Sequence, residues 1–77
     1  MPELEILLYS RVGCHLCDDA KALLESYGLT VESVDIDRDP QLVERYGQCV
    51  PVVFVNGRER FRGRIDPVLL RRLLSQP

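Results

Sequence analysis

The feature that most constrains this chain is a cysteine pair, Cys14-His15-Leu16-Cys17, set where a strand-like run gives way to a helix-like pattern. Ahead of it, Leu4-Glu5-Ile6-Leu7-Leu8-Tyr9 is short and almost continuously apolar, as in a strand buried on both faces. Ser10-Arg11-Val12-Gly13 then turns the chain. Beyond the pair, Leu16, Ala20, Leu23, Leu24 and Tyr27 share one stripe at helical spacing, which predicts a helix from Cys14 to Tyr27 stopped by Gly28. At this junction Cys14 caps the helix and Cys17 sits one turn on. Unpaired backbone N–H groups and the positive end of the helix dipole favour a thiolate at Cys14, and only the thiolate attacks a disulfide. Asp18 and Asp19 lie in the first turns, where the dipole favours negative charge.

The rest of the chain supplies three more strands and two more helices. Val31 to Ile36 reads as a strand whose Glu32, Ser33 and Asp35 suit a sheet edge. Asp39-Pro40 is a cap followed by proline at the first helical position, opening a short helix that runs to Tyr46 and stops at Gly47. Val52-Val53-Phe54-Val55 reads as a central strand. Asn56-Gly57 signals a hairpin, so Arg58 to Arg62 returns antiparallel, its charges marking an exposed edge. Asp66-Pro67 repeats the cap-and-proline device, and Leu69, Leu70, Leu73 and Leu74 give the last helix its expected buried face. The order is β-α-β-α-β-β-α. A right-handed crossover makes the first two strands parallel, and the apolar strands belong in the middle, which gives a four-stranded mixed sheet of order 2-1-3-4 with helices on both faces.

With 77 residues the chain has room for one α/β domain, residues 1–77, with a thin core. Met1-Pro2-Glu3-Leu4-Glu5 lacks the basic start and apolar run of a secretory signal, and no stretch is long enough to span a membrane. Three cysteines, an odd number, argue against a secreted disulfide framework. A cytoplasmic protein is therefore expected, in which a cysteine pair is catalytic, redox-sensing or metal-binding. The net charge of −2 hides an asymmetry: residues 1–57 hold four basic and ten acidic side chains, whereas residues 58–77 hold six arginines against Glu59 and Asp66. We read the arginines as a solvated strand edge and helix face, with no nucleic-acid partner expected. Cys14, His15, Cys17 and Cys49 can be written as zinc ligands, but His15 directly follows Cys14 and points away from the pair, and no second spaced ligand pair exists. No metal site is expected.

These residues resemble the thioredoxin-like superfamily, and within it the small glutaredoxin-like proteins, a set of short bacterial chains marked by Gly-Cys-His-Leu-Cys-Asp. The resemblance rests on the strand–Cys14-His15-Leu16-Cys17–helix unit, on Val50-Pro51 ahead of the third strand, and on the element order, and it covers essentially the whole chain. It implies a thioredoxin-like three-layer sandwich and a thiol–disulfide oxidoreductase with Cys14 as nucleophile and Cys17 as resolving thiol. It implies that Pro51 is cis and packs beside the pair, and that the Val50 backbone pairs with an extended thiol substrate. Arg11 occupies the place where glutaredoxins often carry a lysine that meets glutathione. The implied substrates are protein disulfides or glutathione mixed disulfides. Glutathione is a co-substrate rather than a tightly bound cofactor, an unidentified reductase restores the dithiol, and the protein is expected to be a monomer.

The chain also departs from the glutaredoxin pattern. His-Leu replaces Pro-Tyr between the cysteines, and Arg62-Gly63-Arg64-Ile65-Asp66 holds a single glycine where glutaredoxins hold the γ-glutamyl end of glutathione. The bulk of Arg64 and Ile65 predicts a poor hold on that end. Two accessory positions stay open: His15 assists the thiolate or faces water, and Cys49 is an exposed thiol near the site or a buried inert one. Two other functions stay open as well, an iron–sulfur or metal-binding module and a redox-inactive interaction domain on the same fold.

Overall fold

A computed structural model describes residues 4–75. The first apolar run forms strand β1 (Ile6–Ser10), which leads through a turn into helix α1 (His15–Ser26). Strand β2 (Val31–Asp35) follows, then a 3-10 turn (Ile36–Arg38) and the seven-residue helix α2 (Pro40–Tyr46). Strands β3 (Val52–Val55) and β4 (Arg58–Arg62) form the hairpin, and helix α3 (Pro67–Leu74) closes the described chain. The sheet order is β2-β1-β3-β4, with β1 and β2 parallel and the other pairings antiparallel. The expected topology is the observed one.

Local chemistry explains most of these boundaries. Asn56 and Gly57 both take positive φ, 51° and 83°, the backbone of a tight hairpin turn that these two residue types tolerate. Asp39 and Asp66 cap α2 and α3 by accepting the Gln41 and Val68 backbone N–H groups. The second strand was expected to reach Ile36 but ends one residue earlier. There the Asp35 carboxylate accepts the Asp37 N–H at 3.0 Å and turns the backbone, while Ile36 drops fully into the core.

Two apolar clusters define the layers. On one sheet face, Ile6, Leu8, Val53, Val55 and Phe61 pack against Ala20 and Leu24 of α1 and Leu70 of α3. On the other, Tyr9, Val52 and Phe54 pack against Leu42, Val43 and Tyr46 of α2, with Ile36. The buried stripe of α1 is the expected one at its centre and narrower at its margins. Cys17, Ala20 and Leu24 are its buried residues, whereas Leu16 and Tyr27, at the margins of the predicted stripe, are 46% and 40% exposed. In α3, likewise, Leu70 alone is fully buried, Leu73 and Leu74 are half-buried, and Leu69 is 50% exposed. An eight-residue helix lying on a narrow sheet has only one turn over its centre.

Candidate active site

The sheet register gathers the sequence-predicted site at one end of the sheet. Tyr9 pairs with Val52, so Pro51 lies across from Ser10, where β1 runs into the turn before Cys14. Ser10 pairs with Asp35, which brings the Asp35–Asp37 bend to the same end. Val52 also pairs with Arg62, and the Gly63 N–H donates to the Pro51 carbonyl at 2.7 Å. Val50–Pro51 is a cis peptide, and the Pro51 side chain is fully buried.

Cys14 is the N-cap of α1 in extended backbone, and its sulfur accepts the Cys17 backbone N–H at 3.2 Å. Gly13 ahead of it takes φ +81°, a left-handed conformation that lets the turn reverse into the helix. Cys14 and Cys17 are joined as a disulfide with Cα atoms 5.2 Å apart. The two sulfurs differ in access: Cys14 is half-buried, and Cys17 is 2% exposed beneath the first turn. A thiolate at Cys14 meets an oriented N–H and the positive end of a three-turn helix, and both favour negative charge there. Val12 and Leu16, on either side of Cys14 in the chain, are 88% and 46% exposed and give the site an apolar rim.

The structure gives Arg11 partners that the sequence did not suggest. Its Nη2 and Nε donate to the two Asp37 carboxylate oxygens at 2.6 and 3.2 Å, and its Nη1 donates to the Gly47 carbonyl at 3.0 Å. The Asp37 hydrogen bond and charge hold the Arg11 guanidinium above its ordinary pKa. Arg11 thus braces the turn before Cys14 against the end of α2, from which the chain runs on to Val50 and Pro51. Gly47 was read as a helix stop. Its closeness to Val43 and its role as an acceptor for Arg11 left no mark in the sequence, and neither did the pairing with Asp37, 26 positions away.

On the other side of the site, Cys49 is half-buried beside the α2-side core, and its sulfur accepts Arg62 Nη1 at 3.5 Å. Arg62 also grips Glu59 through Nη2 and Nε, at 2.8 and 3.0 Å, and its guanidinium lies 5.6 Å from the centre of the Tyr46 ring. Arg62 in turn holds the Glu59 carboxyl below its ordinary pKa. His15 is exposed on the first turn of α1. Ile65 was expected to add bulk, with Arg64, where the γ-glutamyl end of glutathione would approach, but it is 6% exposed and packs in the core, so of the two only Arg64 is outward. Among the described residues, no three His, Cys, Asp or Glu side chains converge as a metal site, and no helix is long and apolar enough to cross a membrane.

Known proteins are similar to this chain in sequence and fold. A glutaredoxin-like protein of Dictyostelium discoideum, the YDR286C homolog, is 29% identical over 73 residues, spanning 82% of this chain and 68% of its own. The X-ray structure of protein XcR50 from X. campestris is 39% identical and superposes with a TM-score of 0.78, covering 94% of this chain and 99% of its own. The glutaredoxin-like NrdH-redoxin of Escherichia coli, described as having a thioredoxin-like activity profile, is 27% identical with a TM-score of 0.72, covering 95% and 99%. The family model of the glutaredoxin-like domain (DUF836) matches residues 5–75, and with the cysteine pair on its strand–helix junction and the cis proline at the same end of the sheet, the chain belongs to that family.

Proposed function

We propose that the protein is a dithiol disulfide reductase that cycles between the Cys14–Cys17 disulfide and the free thiols. The observation that carries this reading is the inequality of the two sulfurs: Cys14 is accessible and takes a helix N-terminal N–H, while Cys17 is buried one turn behind it. In the forward direction the Cys14 thiolate attacks one sulfur of a substrate disulfide. A Cys14–substrate disulfide forms and the other substrate sulfur leaves as thiolate. Cys17 then loses its proton and attacks the Cys14 sulfur, which expels the second substrate thiolate and closes the Cys14–Cys17 bond. Two electrons pass to the substrate, and a separate reductant returns the pair to thiols.

The chemistry needs no bound metal or prosthetic group. The substrates in this reading are protein disulfides or mixed disulfides with glutathione, met in a cytoplasmic, reducing setting. The exposed Val12 and Leu16 suit contact with an apolar protein segment. The cis Val50–Pro51 segment lies at the same end of the sheet, where the Val50 backbone can pair with an extended substrate. The likeness to NrdH-redoxin supports the same assignment. The test is capture of a disulfide-bearing substrate. Cys17→Ser is expected to accumulate a mixed disulfide on Cys14 that added dithiol releases, and Cys14→Ser is expected to capture none. Capture by Cys14→Ser alone reverses the roles, and capture by neither variant removes the activity.

A further inference from the structure

Two arginines flank the end of the sheet that holds Cys14 and Pro51, and each is gripped at two points by a carboxylate. Arg11, in the turn that enters Cys14, holds both Asp37 oxygens and the Gly47 carbonyl. Arg62, paired across the ladder with the residue after Pro51, holds both Glu59 oxygens and the Cys49 sulfur. These are the two ion pairs among the described residues. The forked contact matches guanidinium to carboxylate, so each arginine already has the partner that a substrate carboxylate would offer. Charge nearby runs the same way. Asp35 adds to the negative field at Arg11, and Asp18 and Asp19 stand exposed on α1 just beyond the pair. On the β4 side Arg58 and Arg60 are exposed on the strand itself, and Arg64 is exposed past Gly63.

We propose that Asp37 and Glu59 are specificity-determining residues: by occupying Arg11 and Arg62 they leave Cys14 without a free cation at either position, so that it favours disulfides in neutral or basic protein segments over those carrying carboxylates beside the sulfur. The proposal rests on the reading of Cys14 as nucleophile. The step concerned is its first exchange: the Cys14 thiolate forms a bond to one reagent sulfur, and the other leaves with the electron pair as thiolate. Exposed ion pairs are weak, so the two carboxylates bias the approach of an anion rather than forbid it.

The test uses a Cys17→Ser, Cys49→Ser protein, in which Cys14 is the remaining thiol and serine keeps an acceptor beside Arg62. Its exchange rate is measured with dianionic dithiobis(nitrobenzoic acid), neutral dithiodipyridine and dicationic cystamine. Because these reagents differ in leaving group, each substitution is judged by the change it makes in the anionic-to-neutral and cationic-to-neutral rate ratios. Asp37→Asn and Glu59→Gln are each expected to raise the first ratio about two- to fivefold and to lower the second, with a larger change in the double variant. Asp37→Glu, which keeps the charge, is expected to return the ratio toward its starting value, which a general loosening of the fold does not do. Ratios that stay put in both variants, or move the other way, overturn the proposal while leaving Cys14 as the nucleophile. A Cys14 inert to all three reagents overturns both.

Discussion

Gly47→Ala sets local preference against packing, and the structure says packing wins. Gly47 has φ −51° and ψ −33°, ordinary right-handed helical backbone that needs no glycine. By propensity alone alanine there gains about 0.5–1 kcal/mol. An added Cβ, however, falls 2.5 Å from the Val43 carbonyl oxygen and 3.5 Å from its Cγ1. That oxygen cannot simply yield, because it accepts the Gly47 N–H at 2.8 Å and is part of the α2 backbone. Forcing a methyl group into a filled site costs about 1–3 kcal/mol, so the net loss spans about 0–2.5 kcal/mol, and an approach as close as 2.5 Å to a backbone oxygen places it in the upper half of that range. A domain of this size holds about 4–12 kcal/mol in total, so the variant stays folded. Urea unfolding measures the effect: with a slope near ~1 kcal/mol per molar, the midpoint falls by about 1–2.5 M.

Gly28 is the control, since it has φ +80° and open space where a Cβ would go. Gly28→Ala loses stability through its left-handed backbone, and Gly28→Asn recovers part of the loss because asparagine tolerates that conformation. Gly47→Asn recovers nothing. A Gly47→Ala midpoint equal to or above that of the parent refutes the close-approach argument and leaves propensity in charge of the α2 terminus.

Neighbouring leucines of α3 should behave differently: Leu70→Ala, fully buried, is expected to cost about 2–5 kcal/mol, and Leu69→Ala, half exposed, about 0.5 kcal/mol or less, with equal losses refuting the assigned helix face. In the reduced protein, iodoacetamide is expected to label Cys14 well before Cys17, as read by peptide mass; faster labelling of the buried thiol contradicts the assignment. Glu59 lies below its usual 4.5 because Arg62 donates to it, so its pairing stabilises the fold fully above that pH and the contribution is lost as pH falls through the lowered value. Melting curves of the parent and Glu59→Gln should therefore converge as the pH is taken down through the lowered Glu59 value, and a gap that stays constant with pH argues against the pair.

The hairpin, both proline-opened helices and the sheet order were legible because each rests on local chemistry: Asn56-Gly57 permits one kind of turn, and Asp39-Pro40 and Asp66-Pro67 cap and start helices within three residues. The cysteine junction was legible for the same reason, as Cys14 caps the helix with its own side chain. What escaped depends on the third dimension. A helical stripe read from sequence has width and length, and Leu16 and Tyr27 face solvent at the two ends of α1. Ile65 sits between Arg64 and Asp66 and looks exposed in sequence, yet the positive φ of Gly63 redirects the chain and Ile65 is buried. Arg11 and Asp37 meet only because parallel pairing of β1 and β2 carries both to one end of the sheet.

The outer strand β4 carries a consequence for the behaviour of many copies together. Its Arg58, Glu59, Arg60 and Arg62 are exposed, Phe61 alone turns inward, and the ladder to β3 is irregular between Val53 and Phe54. An open sheet edge is a template for another strand, and the hazard is fibre growth by edge-to-edge addition. A second β4 laid antiparallel on this one brings rows of guanidinium groups together and has to follow a kinked rather than a straight ladder. The sheet is thereby discouraged from extending past its fourth strand, even in transiently loosened molecules at high concentration.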